Sequence, residues 1–164
     1  MSGLFRNLIT LLLALRHFNR LPPLARTSAT FFITPFDTGI TTLKSDRYLL
    51  LAEAAQIDYM VKTGLLKETL RNRYNFVNAA QMVKFIKPVR LFNRVRVETQ
   101  VAYADDKCAW FCHGFYVGEA KCAEVLVKMK FKRGRVTVAP GVLLGEFVGV
   151  QPVWIGPWEA TLTA

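Results

Sequence analysis

Three carboxylates, Asp37, Asp46 and Glu53, lie close together in the first third of the chain. A carboxylate can activate water or attack a carbonyl carbon, and either reaction also needs donors for the charge that develops on oxygen. The unpaired amides at a helix N-terminus are such donors, and the helix dipole favours the same charge. Asp46 reads as a first-turn helical residue, Glu53 as lying about two turns further in, and Asp37 as part of the preceding loop. Each also has a plainer role. Asp37, near Gly39, suits a turn; Asp46 suits the positive end of a helix; Glu53 suits a helix surface, bonded to a sheet or to solvent.

Other reactive types are sparse. Cys108, Cys112 and Cys122 form no CxxC pair and have no histidine at zinc spacing, so no metal site is expected. An odd cysteine count argues against a disulfide framework and suits a reducing, cytoplasmic compartment. These cysteines and His113, the one histidine of the body, read as strand packing. The charge is +10, from 22 Lys and Arg against 12 Asp and Glu, which favours anionic partners. Lys84, Lys87, Arg90, Arg94 and Arg96 are the densest basic stretch of the body. They suit either a solvated strand edge or a phosphate site.

The elements that would position these residues are legible in the pattern. A chain of 164 residues, 52% hydrophobic and rich in aromatics, supports one domain with a proper core and excludes disorder. Ser45 is a good N-cap, no glycine or proline interrupts 46–63, and Gly64 follows as a C-cap. Tyr48, Leu49, Leu50, Leu51, Ala54, Ala55, Ile57, Met60 and Val61 cover that helix nearly all round, so it is buried on most sides. Thr30 to Phe36 reads as a first strand. After residue 73, a strand over 76–86 precedes three more, in which Val95, Val97, Thr99, Val101 and Tyr103, then Ala109 to Val117, then Val125, Val127, Met129 and Phe131 carry the pattern. Tight turns between them predict an antiparallel meander, and a curved sheet would cover the apolar helix. Because the aromatics alternate inward, no stacking set for nucleic acid is expected. The proline-rich 146–164 stretch reads as an irregular tail.

Residues 1–21 read as an amphipathic helix, followed by a linker over 22–29 that Pro22 and Pro23 begin. On a helical wheel Arg6, Thr10, Arg16, His17 and Arg20 share one side; Leu4, Phe5, Leu8, Leu11, Leu12, Leu15 and Phe18 share the other. The run Leu11–Leu15 falls far short of the ~20 residues needed to span a bilayer, and basic residues stand where a signal peptide would be cleaved. Two roles fit: residues 2–20 lying on an anionic membrane surface, or docking on the body or on a partner.

The stretch PFDTGITTLKSDRYLLLAEAAQIDYMVKTGL resembles the signature of the 4-hydroxybenzoyl-CoA thioesterase-like branch of the hotdog superfamily. That signature runs Asp-x-Asp, a short loop, His-Met-Asn-Asn, Arg-Tyr-Leu opening a central helix, and Ser-Gly-Leu closing it. Arg47-Tyr48-Leu49 and Thr63-Gly64-Leu65 stand where it expects them, and MVKFIKPVRLFNRVRVET and KCAWFCHGFYV resemble the strands that follow. The chemistry departs: Thr42-Leu43-Lys44-Ser45 replace His-Met-Asn-Asn, the catalytic second Asp falls on Thr38, and Asp37 stands one place early.

The resemblance, over 30–145, implies an α+β hotdog domain, a long helix wrapped by an antiparallel sheet of about five strands. It implies an acyl-thioester hydrolase acting on acyl-CoA or acyl carrier protein, with no cofactor beyond the CoA of the substrate, as a homodimer or homotetramer with sites between subunits. It puts the oxyanion donor at the Ser45 amide. Asp37 ranks first as base, since it lies in the loop the family uses. Glu53 ranks second, since LLLAEAAQ looks like the helix of another hotdog branch, and Asp46 third. Lys84, Lys87, Arg90, Arg94 and Arg96 would hold phosphates of CoA or phosphopantetheine. The alternative is a hotdog protein without catalysis that binds acyl chains or scaffolds a partner, which the altered loop supports. Dehydratase chemistry wants a histidine, and His113 lies mid-strand.

Overall fold

The computed structural model describes residues 3–163, and the side chains of Leu4 and Phe5, assigned above to the apolar face, lie outside the described residues. In chain order the elements are α1 (Gly3–Ala14) with a 3-10 turn at Leu15–His17, β1 (Thr27–Phe32), α2 (Ser45–Lys62), α3 (Leu65–Arg71), β2 (Asn75–Phe85), β3 (Arg94–Ala104), β4 (Ala109–Val117), β5 (Ala120–Arg133), β6 (Val136–Val138), α4 (Gly141–Leu144) and α5 (Ile155–Thr163).

The unbroken apolar stretch does form the long helix α2. Leu51, Ala54, Tyr59 and Val61 are wholly buried along it, each large apolar side chain contributing about 1.5–3 kcal/mol relative to exposure. Its N-cap is Lys44 with no side-chain hydrogen bond; Ser45, expected as the cap, is already the first helical residue. Gly64 takes φ +75°, a left-handed turn that glycine adopts without strain. The chain then enters α3, a short helix the sequence pattern does not announce.

The strands form one antiparallel sheet in the order β1-β3-β4-β5-β2, with β6 pairing beside β5. Val95, Val97, Phe111, Phe115, Val125, Val127, Met129 and Phe131 face inward and form one core with α2. This is the hotdog arrangement, a curled sheet around one helix. β1 and β2 stand at the two ends of this order. The first strand lies earlier than expected, at Thr27–Phe32, because Thr34 to Asp37 close a turn around Pro35; the linker shrinks accordingly.

The tail is not irregular throughout. In α5, Ile155 and Trp158 pack on Cys108, Trp110 and Leu126, covering the outer face of β4 and β5. Lys128 Nζ lies 2.5 Å from Glu159 and fixes that helix. The sequence hides this element because Gly156 and Pro157 fall in its first turn, where proline is tolerated.

The largest departure concerns α1. Arg6, Thr10 and Ala14, four residues apart on one face, turn inward against the body. Leu8, Leu12, Leu13 and Leu15 turn outward, Leu12 and Leu13 being 58% and 57% exposed. Of the expected polar face, Arg6 and Thr10 are buried, while Arg16, His17 and Arg20 stay exposed with the leucines. The physical reason is Asp37, a wholly buried carboxylate whose nearest cation is Arg6. An unpaired buried charge costs several kcal/mol, more than exposing part of a few leucines.

Candidate functional site

The loop before α2 is pinned on both sides. Its own residues pair at Thr38 and Leu43, and Thr42 pairs with Arg90. The Leu43 amide donates to Val89 O at 2.8 Å, and the Lys44 amide donates to Asp37 O at 3.1 Å. This holds the first turn of α2 against the end of β2. Between them opens a cleft of about 290 Å³ lined by Thr42, Leu43, Ser45, Tyr48, Phe85, Ile86, Lys87 and Pro88. The first amides of α2 precede any intrahelical acceptor, and Ser45, its first residue, lines the cleft. The Tyr48 ring forms one wall, meeting Phe85 edge-on at 5.1 Å. Burial pushes its hydroxyl above the usual tyrosine pKa.

The three carboxylates do not converge here. Asp37 is 0% exposed and does not line the cleft. One oxygen accepts from Arg6 Nη2 at 2.5 Å; the other accepts from the Thr34 amide at 3.0 Å and the Thr34 hydroxyl at 2.7 Å. Burial alone would raise its pKa, but the hydrogen bonds from Arg6 and Thr34 and the Arg6 charge together hold it below 3.8. A carboxylate with both oxygens occupied and no free surface has nothing to offer a substrate. In this arrangement Asp37 closes the turn at Thr34 and anchors α1 through Arg6, away from the cleft. Asp46 has a side chain 65% exposed, points to Arg47 at 3.5 Å, and stays outside the cleft.

Glu53 is exposed and accepts from Asn7 Nδ2 at 3.1 Å. It borders a separate hollow with Gln56, Ile57, Met60, Phe76 and Asn78, where α2 faces the start of β2. The two hollows therefore lie at opposite ends of β2, the cleft at Phe85 and the Glu53 hollow at Phe76.

The basic stretch is also divided. Lys87 lines the cleft, and Arg90 pairs through its backbone with the cleft residue Thr42. Lys84 is exposed on β2. Arg94 and Arg96 are on β3, three strands away, or about 14 Å. Arg96 is ion-paired with Glu98 and stacks 5.0 Å over the Tyr116 ring, so it is committed to the outer sheet. Of the five, Lys87 shares the cleft with Ser45.

His113 sits fully buried with Nδ1 3.0 Å from Thr99 Oγ1. Burial pulls its pKa down to about 3, so the ring is neutral and serves the core. Cys108 and Cys122 are buried, and Cys112 donates to Glu124 Oε1 at 3.0 Å. Burial and the Glu124 charge push the Cys112 thiol up to about 12, which removes it as a nucleophile. Among the described residues no three His, Cys, Asp or Glu side chains are grouped to hold a metal. The residue that sequence reasoning missed is Arg6. Its partner is 31 positions away, and no local pattern marks such a pair.

Comparison with solved structures gives the same fold. The Escherichia coli probable thioesterase YbaW superposes with a TM-score of 0.66 at 13% identity, over 71% of this chain and 92% of its own. A probable thioesterase from Bartonella henselae gives 0.63 at 16%, over 70% and 98%. The SAV2348 protein from Staphylococcus aureus, solved with CoA, gives 0.62 at 12%, over 80% and 92%. No curated protein matches the chain in sequence. The profile of the thioesterase-like superfamily, however, matches residues 41–147, from the pinned loop through α2 and the whole meander to the start of the tail. By that match the chain belongs to the thioesterase-like superfamily.

Proposed function

We propose that the protein hydrolyses acyl-CoA or acyl-carrier thioesters in the cleft at the start of α2. The observation that carries this reading is the cleft itself: Ser45, the first residue of α2, lines a hollow of about 290 Å³ in a hotdog thioesterase fold. The first amides of α2, that of Ser45 foremost, would hold the developing oxyanion. Lys87 and Arg90 would meet the phosphates of CoA or phosphopantetheine, with Lys84 nearby on β2.

The base is assigned to Glu53 of a second subunit. β2 is an eleven-residue edge strand, nearly all exposed, bearing Phe76, Val77, Met82 and Phe85. A long apolar edge of this kind invites pairing with another chain. Antiparallel pairing of two β2 strands about a two-fold axis would bring the Phe76 end of one against the Phe85 end of the other. Each Glu53 hollow would then abut the partner's α2 cleft, joining base to oxyanion donors.

The outward leucines of α1, with Arg16 and Arg20 beside them, suit peripheral contact with an anionic membrane. Among the described residues no helix is long and apolar enough to cross one.

The test is an acyl-CoA and acyl-carrier panel, spanning short, aromatic and long acyl groups, read by free-thiol release. Turnover that disappears in Glu53→Gln supports the reading; absence of turnover on every substrate overturns it. One observation favours the second reading, a non-catalytic acyl-binding protein: within a single chain no carboxylate lines the cleft.

A further inference from the structure

Apolar exposure around α1 continues beyond the helix. Leu13, Ile9, Leu12 and Leu8, all exposed, follow one another around about 140° of it at about 100° per residue. Ile9 and Leu13 then face Phe32 of β1 across a slot that all three line. The Phe32 ring, 53% exposed, stacks on that of Phe92, 62% exposed, with centroids 6.1 Å apart. The helix and the aromatic pair therefore make one apolar surface.

Phe92 holds its place under strain. The turn from Arg90 to Asn93 gives it φ +64°, a left-handed conformation that a bulky side chain rarely adopts and that glycine or asparagine takes more readily. The turn is fixed, because the Phe92 amide donates to Ile33 O at 3.0 Å and the Asn93 amide donates to Arg90 O at 3.1 Å. Phe92 is no part of the core, and its stacking partner is itself half exposed. A strained residue that stabilises little inside the fold points to a role outside it.

The exposed charges beside this surface have one sign. Arg16 and Arg20 follow α1. Arg94, which the α2 cleft leaves unused, stands opposite Phe32 in the β1–β3 register and so on the same face of the sheet. None of the three has an ion-pair partner among the described residues. A two-fold contact between copies of this surface would set these cations against themselves. Anionic lipid answers the leucines, the rings and the cations together.

We propose that α1 and the Phe32–Phe92 pair form one docking surface for an anionic membrane. The rings enter the interfacial layer beside the leucines, and Arg16, Arg20 and Arg94 meet the headgroups. The surface builds on the α1 contact and adds a second, rigid attachment that fixes how the body sits on the bilayer. Arg90, in the same turn as Phe92, pairs with the cleft residue Thr42, so docking holds that end of the α2 cleft near the lipid. This last consequence rests on the hydrolysis reading; the docking surface does not.

The test uses the full-length protein and phosphatidylcholine vesicles with and without phosphatidylserine. Phe92→Trp and Leu12→Trp are each read with lipids brominated along the acyl chain. The three native tryptophans lie in the α5 cluster, and the wild type supplies their background. Both new tryptophans should be quenched on anionic vesicles, well above that background, and neither on neutral ones. Phe92→Asn should weaken partitioning about tenfold or more. Its melting temperature should be no lower than wild type, because asparagine tolerates the left-handed turn. Quenching of Leu12→Trp without Phe92→Trp would leave α1 as the contact and overturn the proposal. Quenching of neither would overturn the α1 contact as well. Equal binding to neutral vesicles, unaltered partitioning of Phe92→Asn, or a change in its oligomeric state, which would make the pair a subunit contact, would each overturn it. Thiol release from a soluble short-chain acyl-CoA, read on the same samples, reports separately on the α2 cleft.

Discussion

Replacing Arg6 with methionine keeps most of the stem volume and removes the charge that Asp37 faces. The carboxylate then remains wholly buried with only Thr34 to bond it. Breaking a buried ion pair from one side costs about 3–5 kcal/mol. Among the described side chains of α1, Thr10 and Ala14 are the other buried ones, and a methyl is worth about 0.8 kcal/mol. Most of its leucines face outward and contribute little to docking. The cost exceeds what Thr10 and Ala14 supply, and the helix should lift off and let Asp37 hydrate while the body stays folded. Native-state hydrogen exchange should show amides of residues 3–17 losing protection by roughly 10²–10³-fold, with 45–62 and 109–133 unchanged. Adding Asp37→Asn to Arg6→Met should restore much of that protection, because no buried charge is left unpaired. The pH dependence has a definite sign. In the wild type, Asp37 has a folded pKa below 3.8, so its contribution is complete above 3.8 and is lost only as pH falls through the lower value. In the variant, unopposed burial raises that pKa, so acidification should narrow the gap between the two proteins. Unchanged exchange in 3–17, or equal loss of protection in α1 and the sheet, would refute the reasoning.

Glu53→Gln should lower kcat by on the order of 100-fold or more at unchanged melting temperature, measured by thiol release; a wild-type rate would remove Glu53 as base. Met82→Glu on β2 should convert a dimer to a monomer in sedimentation velocity and abolish turnover with it, whereas a monomeric wild type would sink the shared site. Leu12→Asp should weaken binding to anionic vesicles at least tenfold without altering the circular dichroism spectrum, and unaltered binding would confine α1 to packing. His113, neutral in the fold with a pKa near 3 against 6.5 for an ordinary histidine, binds its proton in the unfolded chain first. Stability should therefore fall as pH drops from 6.5 toward 3, by up to about 1.4 kcal/mol per unit, and His113→Gln should flatten that slope in acid denaturation curves.

The sequence made the central helix and meander legible because their signals are local. A nine-residue run rich in aromatics between two turns marks β4 at its observed bounds, Ala109–Val117, and the unbroken stretch before Gly64 marks α2 to within one residue at each end. The facing of α1 was not legible. A wheel reports which residues share a side and says nothing of which side finds a partner, and the deciding partner, Asp37, is 31 positions away. The same gap hid the surroundings of Asp37: proximity in sequence put it before the helix, but only tertiary structure shows both of its oxygens occupied. The basic stretch misled for a related reason. Lys84 and Arg94 are near neighbours in the chain, yet β4 and β5 come between their strands in the sheet.

The order of the strands also bears on how the chain acquires its structure during synthesis. β1 pairs with β3, Thr27 against Thr99, so the first strand made waits for about 40 residues beyond α2 before it has a partner; at about 5–20 residues per second this is a matter of seconds. During that interval α2, apolar on nearly every side, has left the ribosome with no sheet to cover it. The element available to it is α1, already complete and already its neighbour in the finished fold. Arg6 and Asp37 both precede α2, so their ion pair can form before any strand closes. The N-terminal helix is thus the first folded neighbour that the central helix can meet, before β3 and β4 arrive.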